Sequence, residues 1–330
     1  MTATVNSNLR INLTGTEKDT RLASARYRAA VEMAAYADKQ GFASVNVEEH
    51  HCADNGWLPS PLTMAAAIAV RTEQCRIGIM ALLVTLYDPV RLAEDLAVID
   101  LLSQGRLYFI AGMGYREKEF HAMDKPFTER GAWMDHVLDT LLLAWGDEPF
   151  EYRGVEIQVT PKPYTRPHPL FMVGGMSKPA ARRAARRGLP FAPPVANPEL
   201  ESVYYEELAK HGHEGGFVYA PPADFSVLFI DEEPEQAWQE LGQYFLCEVM
   251  EYSSWSEPGL QRPLEMNGST IDAIREAGNY EIITPQQCIE RHRVDADFFA
   301  TIHPLVGGMP LDRAWQSLRL YAEQVLPALT

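Results

Sequence analysis

At 330 residues the chain is longer than an ordinary single domain, yet a closed α/β barrel uses this length as one unit. A hydrophobic fraction of 46% with 22% charged residues describes a folded chain with ample core and excludes a disordered polymer. The formal net charge of -16 would repel a phosphate backbone, which argues against a nucleic-acid partner.

Along the chain, helical stretches alternate with short, nearly unbroken apolar runs of the kind buried on both faces of a parallel sheet. The pattern predicts strands over Leu9–Leu13, Ser44–Glu48, Arg76–Leu83, Arg106–Gly112, Leu170–Gly174, Leu189–Ala192, Phe225–Ile230 and Phe298–His303. Leu22, Ala25, Ala29, Met33 and Ala37 lie at helical spacing after the first of these, and Leu92, Leu96, Ile99 and Leu102 before the fourth. Gly41, Gly105, Gly188 and Gly278 each follow a helix and precede an apolar run, where a left-handed residue closes the last turn. Eight strands in this rhythm predict a single (β/α)8 TIM barrel over residues 1–330, with insertions near residues 193–222 and 251–280. Its strand C-terminal ends should gather Glu49, His50, Met80, Gly112 and Ser177 on one rim.

Cys52, Cys75, Cys247 and Cys288 are widely spaced and form no CxxC pair, so neither a disulfide framework nor a zinc site is expected, and a reducing cytoplasm fits. Met1–Leu13 lacks a basic start followed by an apolar run, and Ile77–Val84 is too short to span a bilayer, so neither export nor a membrane span is expected. The basic cluster Arg182, Arg183, Arg186 and Arg187 reads as one solvated helix side near its C-terminal end.

Three stretches carry chemistry. In Glu48-Glu49-His50-His51, adjacent side chains of a strand point to opposite faces, so a metal site is not expected; carboxylates and imidazoles together can supply a proton acceptor and the group that orients it. In the stretch ending Gly174-Gly175-Met176-Ser177, an apolar strand meets a helix that Ser177 would cap, leaving N–H groups able to hold a phosphate. Gly307-Gly308 after the last strand is a rival phosphate loop. Gly112-Met113-Gly114-Tyr115 lacks the third glycine of a dinucleotide fingerprint, and neither a GxSxG elbow nor a Walker loop is present.

Taken in order, the Glu-His-His after the second strand, Asp88-Pro89-Val90-Arg91 with Ala93-Glu94-Asp95, Gly105-Arg106-Leu107, Gly174-Gly175-Met176-Ser177 and the closing Ser317–Pro327 resemble the bacterial luciferase family of flavin-dependent monooxygenases. The resemblance implies that His50 is the catalytic imidazole facing the reactive edge of a reduced flavin. It places Met80-Ala81 at a peptide, often cis in that family, that supports the isoalloxazine ring. The FMN phosphate should meet Tyr115, Arg130, Met176 and Ser177, with Gly112 and Gly175 also at the cofactor; Arg130 supplies a fixed fork suited to phosphate. This favours the Gly174-Gly175 loop over Gly307-Gly308.

Gly112 and Met113 stand where the light-emitting subunit of bacterial luciferase has cysteine and arginine, so light emission is not carried over. The implied activity is oxygenation of a small, partly apolar substrate through a flavin C4a-peroxide, with O2 as co-substrate and a separate reductase supplying reduced FMN. A homodimer is expected, and Met80, Leu82, Met113, Tyr115 and Phe120 should line the substrate pocket. Ser253–Gly268, rich in chain breakers around Trp255, reads as a lid or a dimer contact. The rival functions are a deazaflavin-dependent oxidoreductase and a flavin-binding protein without turnover.

Overall fold

The computed structural model describes residues 5–15, 19–222, 225–255 and 269–329. They form two compact units, one of residues up to Gly78 together with those from Phe225 onward, the other running from Ile79 to Pro222.

The first unit opens with β1 (Ser7–Ile11), α1 (Thr20–Lys39), β2 (Ser44–Val47), α2 (Pro61–Ala69) and the start of β3 (Arg76–Leu83). Asp19 caps α1 by accepting from the Arg21 amide at 2.7 Å. Ala29, Ala30, Met33 and Ala37 bury its inner face, whereas Leu22 and Ala25 are exposed. The place those two were expected to fill is held by Arg26, whose guanidinium donates to the carbonyls of Gly308 and Met309 at 2.9 and 3.0 Å. At the other end of α1, Asp38 accepts from the amides of Glu73, Gln74 and Cys75 at 2.7–2.9 Å and so closes the turn into β3. Burial alone would push its carboxyl up, but these three N–H groups hold it below the usual carboxylate value.

Ile79 onward belongs to the second unit, where α3 (Pro89–Ser103), β4 (Leu107–Gly112), α4 (Glu117–Ala122) and α5 (Arg130–Trp145) follow β3. An antiparallel hairpin of β5 (Phe150–Tyr152) and β6 (Val155–Ile157) then precedes β7 (Leu170–Gly174), α6 (Lys178–Arg186), β8 (Phe191–Ala192) and α7 (Pro198–Lys210). The strand order is β3-β4-β7-β8, with β4, β7 and β8 parallel and in register from Tyr108 opposite Leu170. Leu92, Leu96 and Ile99 of α3 are buried as their spacing predicts, while Leu102 is 44% exposed.

The chain completes the first unit with β9 (Val227–Ile230), α8 (Pro234–Ser254), α9 (Ile271–Ala277), β10 (Tyr280–Ile283), α10 (Pro285–Val294), β11 (Ala300–Ile302) and α11 (Leu311–Leu320). The order there is β10-β9-β11-β1-β2, all parallel. All eight expected strands are present. The hairpin and β10 were not expected from the sequence; both are short, and β10 carries Glu281 within its apolar run, which breaks the pattern of a buried strand.

Gly41, Gly105, Gly188 and Gly278, the glycines expected to end helices, all have positive φ, from 66° at Gly188 to 87° at Gly41. A Cβ on Gly41 would meet nothing within 4 Å, whereas one on Gly307 would lie 1.7 Å from the Tyr244 carbonyl oxygen. Gly41→Ala should therefore cost only the left-handed backbone penalty, about 1 to 2 kcal/mol, while Gly307→Ala should cost about 3 kcal/mol or more because backbone must move. Urea denaturation of both variants checks the order; equal losses would contradict it.

Candidate active site

In the first unit the strand ends carry a buried ionic cluster. β1 alternates Leu9 and Ile11 with Asn8 and Arg10, so one of its faces is polar although all are buried. Asn8 accepts from the Ser44 hydroxyl of β2 at 3.1 Å. Arg10 grips Glu48 with Nε and Nη2, and its Nη1 donates to Oε1 of Glu248 on α8 at 3.1 Å. The Glu248 carboxylate also accepts from the hydroxyls of Thr14 at 2.5 Å and Tyr280 at 2.7 Å, and lies 3.0 Å from Nε2 of His303.

The electrostatics follow from this crowding. Burial works to raise the Glu248 carboxyl, but the charges of His303 and Arg10 outweigh it and hold the group far below the usual carboxylate range. Burial, reinforced by the Glu248 charge, pushes the Tyr280 phenol well above its ordinary value and keeps it a hydrogen-bond donor. For Arg10 burial acts the other way, yet Glu48 and Glu248 overcome it and keep the cation.

β2 ends at Val47, one residue earlier than expected, because the chain turns away at Glu48 to meet Arg10. Beyond it the four ionisable residues divide. Oε1 of Glu49 lies 2.9 Å from Nε2 of His51, and both residues are buried. His50 instead packs its buried ring among aromatics, with centroids 5.1 Å from Trp57, 4.7 Å from Trp255 and 6.3 Å from Tyr252. Trp57 and Tyr252 stack on each other at 5.4 Å.

The residues expected at the cofactor all fall in the second unit. Met80 and Ala81 lie in β3, joined by a cis peptide as the resemblance implies. Gly112 ends β4, and a Cβ there would meet that of Ala81 at 3.0 Å and the Leu82 carbonyl at 3.3 Å. Gly174 ends β7, where a Cβ would meet Ile110 of β4 at 2.8 Å; one on Gly175, at φ 153°, would meet Ala180 at 2.5 Å. These close approaches bring Ala81, Gly112 and the Gly174-Gly175 pair to adjoining strand ends. Met176 is half-buried and leads into exposed Ser177, which caps α6 by accepting from the Ala180 amide at 3.4 Å.

Arg130 stands at the start of α5. Its Nη1 donates to the Phe127 carbonyl at 2.9 Å, its guanidinium lies 4.0 Å from the Phe127 ring centroid, and its buried Nε has no partner among the described residues. α5 is held to the turn after β3 by Trp133, which donates to the Thr85 carbonyl at 2.9 Å, and to α6 by Arg183, which donates to Gly131 and pairs with Asp135. Thr85 in turn donates to the Met113 carbonyl at 2.7 Å, in the loop that carries half-buried Tyr115.

Several expectations need correction. Gly307-Gly308 does not offer a phosphate loop, because both amides are taken by Thr14, at its hydroxyl and carbonyl, 2.9 and 2.8 Å away. Leu82 and Phe120 are fully buried, Phe120 against Leu83 and Leu86, and so belong to the core; Met80, Met113 and Tyr115 remain half-buried. The basic cluster is not simply solvated, since Arg183 and Arg187 pair with Asp135 and Asp139 of α5. Of Ser253–Gly268, residues 256–268 lie outside the described residues; Ser253–Trp255 ends α8. Among the described residues no three His, Cys, Asp or Glu side chains converge to hold a metal ion, and no helix is long and apolar enough to cross a membrane.

Sequence reasoning missed Arg10, Glu248, Tyr280, His303, Trp57 and Tyr252. Two signals were available: a charge in the alternating run Asn8-Leu9-Arg10-Ile11, and a carboxylate on the α8 face marked by Leu241, Phe245 and Val249.

Parallel strands alternating with helices, with glycine-lined and ionisable C-terminal ends, define a protein of the α/β-barrel class. The chain belongs to the luciferase-like monooxygenase family, whose model matches residues 9–296. Its fold is accordingly a (β/α)8 barrel of the luciferase-like type. It is 32% identical over 167 residues to the alkanal monooxygenase beta chain of Photorhabdus luminescens, covering 48% of this chain and 50% of the relative. The chain spans about half the length of the curated relatives it first matches. Among solved structures it is similar to the monooxygenase RslO1 from Streptomyces bottropensis, at a TM-score of 0.74 and 23% identity over 99% of this chain and 100% of the other. The oxygenating constituent of 3,6-diketocamphane monooxygenase from Pseudomonas putida, in complex with FMN, matches at a TM-score of 0.69 and 17% identity over 98% of each chain.

Because Glu248 binds its proton far more weakly in the folded chain than at the ordinary value of 4.5, the unfolded chain protonates first as the solution is acidified. Its stabilising contribution is complete above that value and is lost as pH falls through the lower, native one. Urea midpoints followed from about pH 6 to about pH 3 should fall less steeply in Glu248→Gln than in the parent chain. Parallel acid limbs would contradict the assignment.

Proposed function

We propose that the chain is a flavin-dependent monooxygenase that takes reduced FMN and O2 and transfers one oxygen atom to a small, partly apolar organic substrate. The observation that carries this reading is the unpartnered, buried Nε of Arg130, a fixed cation at the start of α5 in the unit that also bears the glycine-lined ends of β4 and β7. A dianionic phosphate matches it: Arg130 supplies N–H donors, Ser177 has a hydroxyl hydrogen to give, and the N-terminus of α6 adds the helix dipole. Gly112 and Gly175, without Cβ atoms, let the chain at the ends of β4 and β7 pack close against Ala81 and Ala180, and Met80, Met113 and Tyr115 offer half-buried surface to an apolar substrate.

When bound, reduced flavin supplies the reaction with O2; the chain's own work is to bind, orient, exclude water and manage a proton. His50 is assigned that proton, held at its imidazole within the enclosure of Trp57, Tyr252 and Trp255. Since no dinucleotide fingerprint is present, a separate reductase delivers the reduced cofactor. The same reading has the enzyme acting as a homodimer of a single-domain chain in the cytoplasm, where its free cysteines suit a reducing medium.

Arg130→Ala should weaken FMN binding by about tenfold or more, the effect of losing a charged hydrogen-bond partner, as read by fluorescence titration. His50→Ala should keep that affinity while turnover falls roughly 10²- to 10⁴-fold. Unchanged affinity in the first variant would sink the phosphate site, and full turnover in the second would remove His50 from the chemistry.

A further inference from the structure

We propose that Glu248 is a positioning residue, whose carboxylate seats the last turns of α8 so that Tyr252 and Trp255 enclose the His50 imidazole. Glu248 and Tyr252 are four residues apart and Trp255 three further, so all three lie on one helix face, spread over about 10 Å at 1.5 Å per residue. The face runs from the ionic cluster at one end to the His50 ring at the other.

Each end is tied by contacts of a different kind. At the Glu248 end, Arg10 of β1, Thr14 of the loop after it, Tyr280 of β10 and His303 after β11 all meet the two carboxylate oxygens at 2.5–3.1 Å. Four directional contacts from separate segments leave the helix little freedom to rotate or slide. At the other end, Trp255 and Tyr252 touch both His50 and Trp57 through ring faces and edges, and Glu251 of the same turn accepts from the Asp54 amide at 3.3 Å, a longer contact than any of the four at Glu248.

A competing reading is that apolar packing alone holds α8, since Phe245 and Val249 of the same helix are buried. Hydrophobic contacts are non-directional, however, and a fully buried carboxylate lowers stability unless its partners are all in place. A buried charge so completely partnered is better suited to selecting one orientation than to adding stability. The consequence is that the enclosure of His50 depends on a residue at the far end of the same helix face.

The inference rests on the proposed role of His50, but its test requires neither flavin nor substrate. Full-length protein carrying isotope-labelled histidine reports the His50 ring C–H resonances by NMR, and the nearby tryptophan rings displace them by ring current. In Glu248→Gln, which keeps shape and loses charge, that displacement should shrink, and tryptophan fluorescence should change with it. Glu240→Gln, an exposed change on the same helix, should leave both signals as they are. Should Glu248→Gln fail to fold, Tyr280→Phe removes one of the four contacts and should move the same resonances less, in the same direction. A folded Glu248→Gln protein with unmoved His50 resonances, or an unmoved Tyr280→Phe protein where the first does not fold, would overturn the proposal. Displaced resonances support it whatever His50→Ala does to turnover, so failure of the proposed activity and failure of the positioning role remain separable.

Discussion

The buried carboxylate of Glu248 is the constraint on which the first unit depends. A charge removed from water must be met by donors, and here the donors come from β1, the loop after it, β10 and the turn after β11. Sequence-distant segments are thereby pinned to one point. Arg10 passes the constraint on to Glu48, and so to the position where β2 gives way to the Glu49-His50-His51 turn. The polar face of β1 is a direct result: Asn8 and Arg10 sit where a barrel strand more often carries branched apolar residues.

The second unit obeys a different rule, that of close approach. Gly112 and Gly174 sit where a Cβ would press against the neighbouring strand, and Gly175 where it would strike α6. The loops that follow these tightly joined strand ends carry Tyr115 and Met176. The helices behind are fixed by ion pairs, Arg183 and Arg187 reaching the aspartates of α5. Arg130 thus begins a well-anchored helix, and its guanidinium keeps a donor in reserve.

Much of this was legible before any coordinates. The eight expected strands could be read because each is a short apolar run bounded by a glycine or a polar cluster, and Gly41, Gly105, Gly188 and Gly278 take the positive φ that their place after a helix demands. β10 was hidden because Glu281 interrupts it, the partner of Arg291 rather than a solvent-facing charge. The Glu-His-His motif pointed to His50, but periodicity says nothing about rings brought from elsewhere: Tyr252 and Trp255 are far along the chain from His50, and only the fold unites them with Trp57. Gly307-Gly308 misled for a related reason. A glycine pair in sequence does not distinguish amides that await a ligand from amides already engaged, and Thr14 engages both.

The proposed flavin chemistry rests on family membership, the glycine-lined strand ends, Arg130 and His50, with a deazaflavin as the competing cofactor. The most direct test is an anaerobic titration of the purified chain with reduced FMN and, in parallel, with a reduced deazaflavin, followed by admission of O2. One reduced FMN bound per chain, with rapid oxygen uptake and a much weaker response to the deazaflavin, is the expected result. Tight binding of the deazaflavin alone, or no binding of either, would contradict the assignment of this chain as a flavin-dependent monooxygenase.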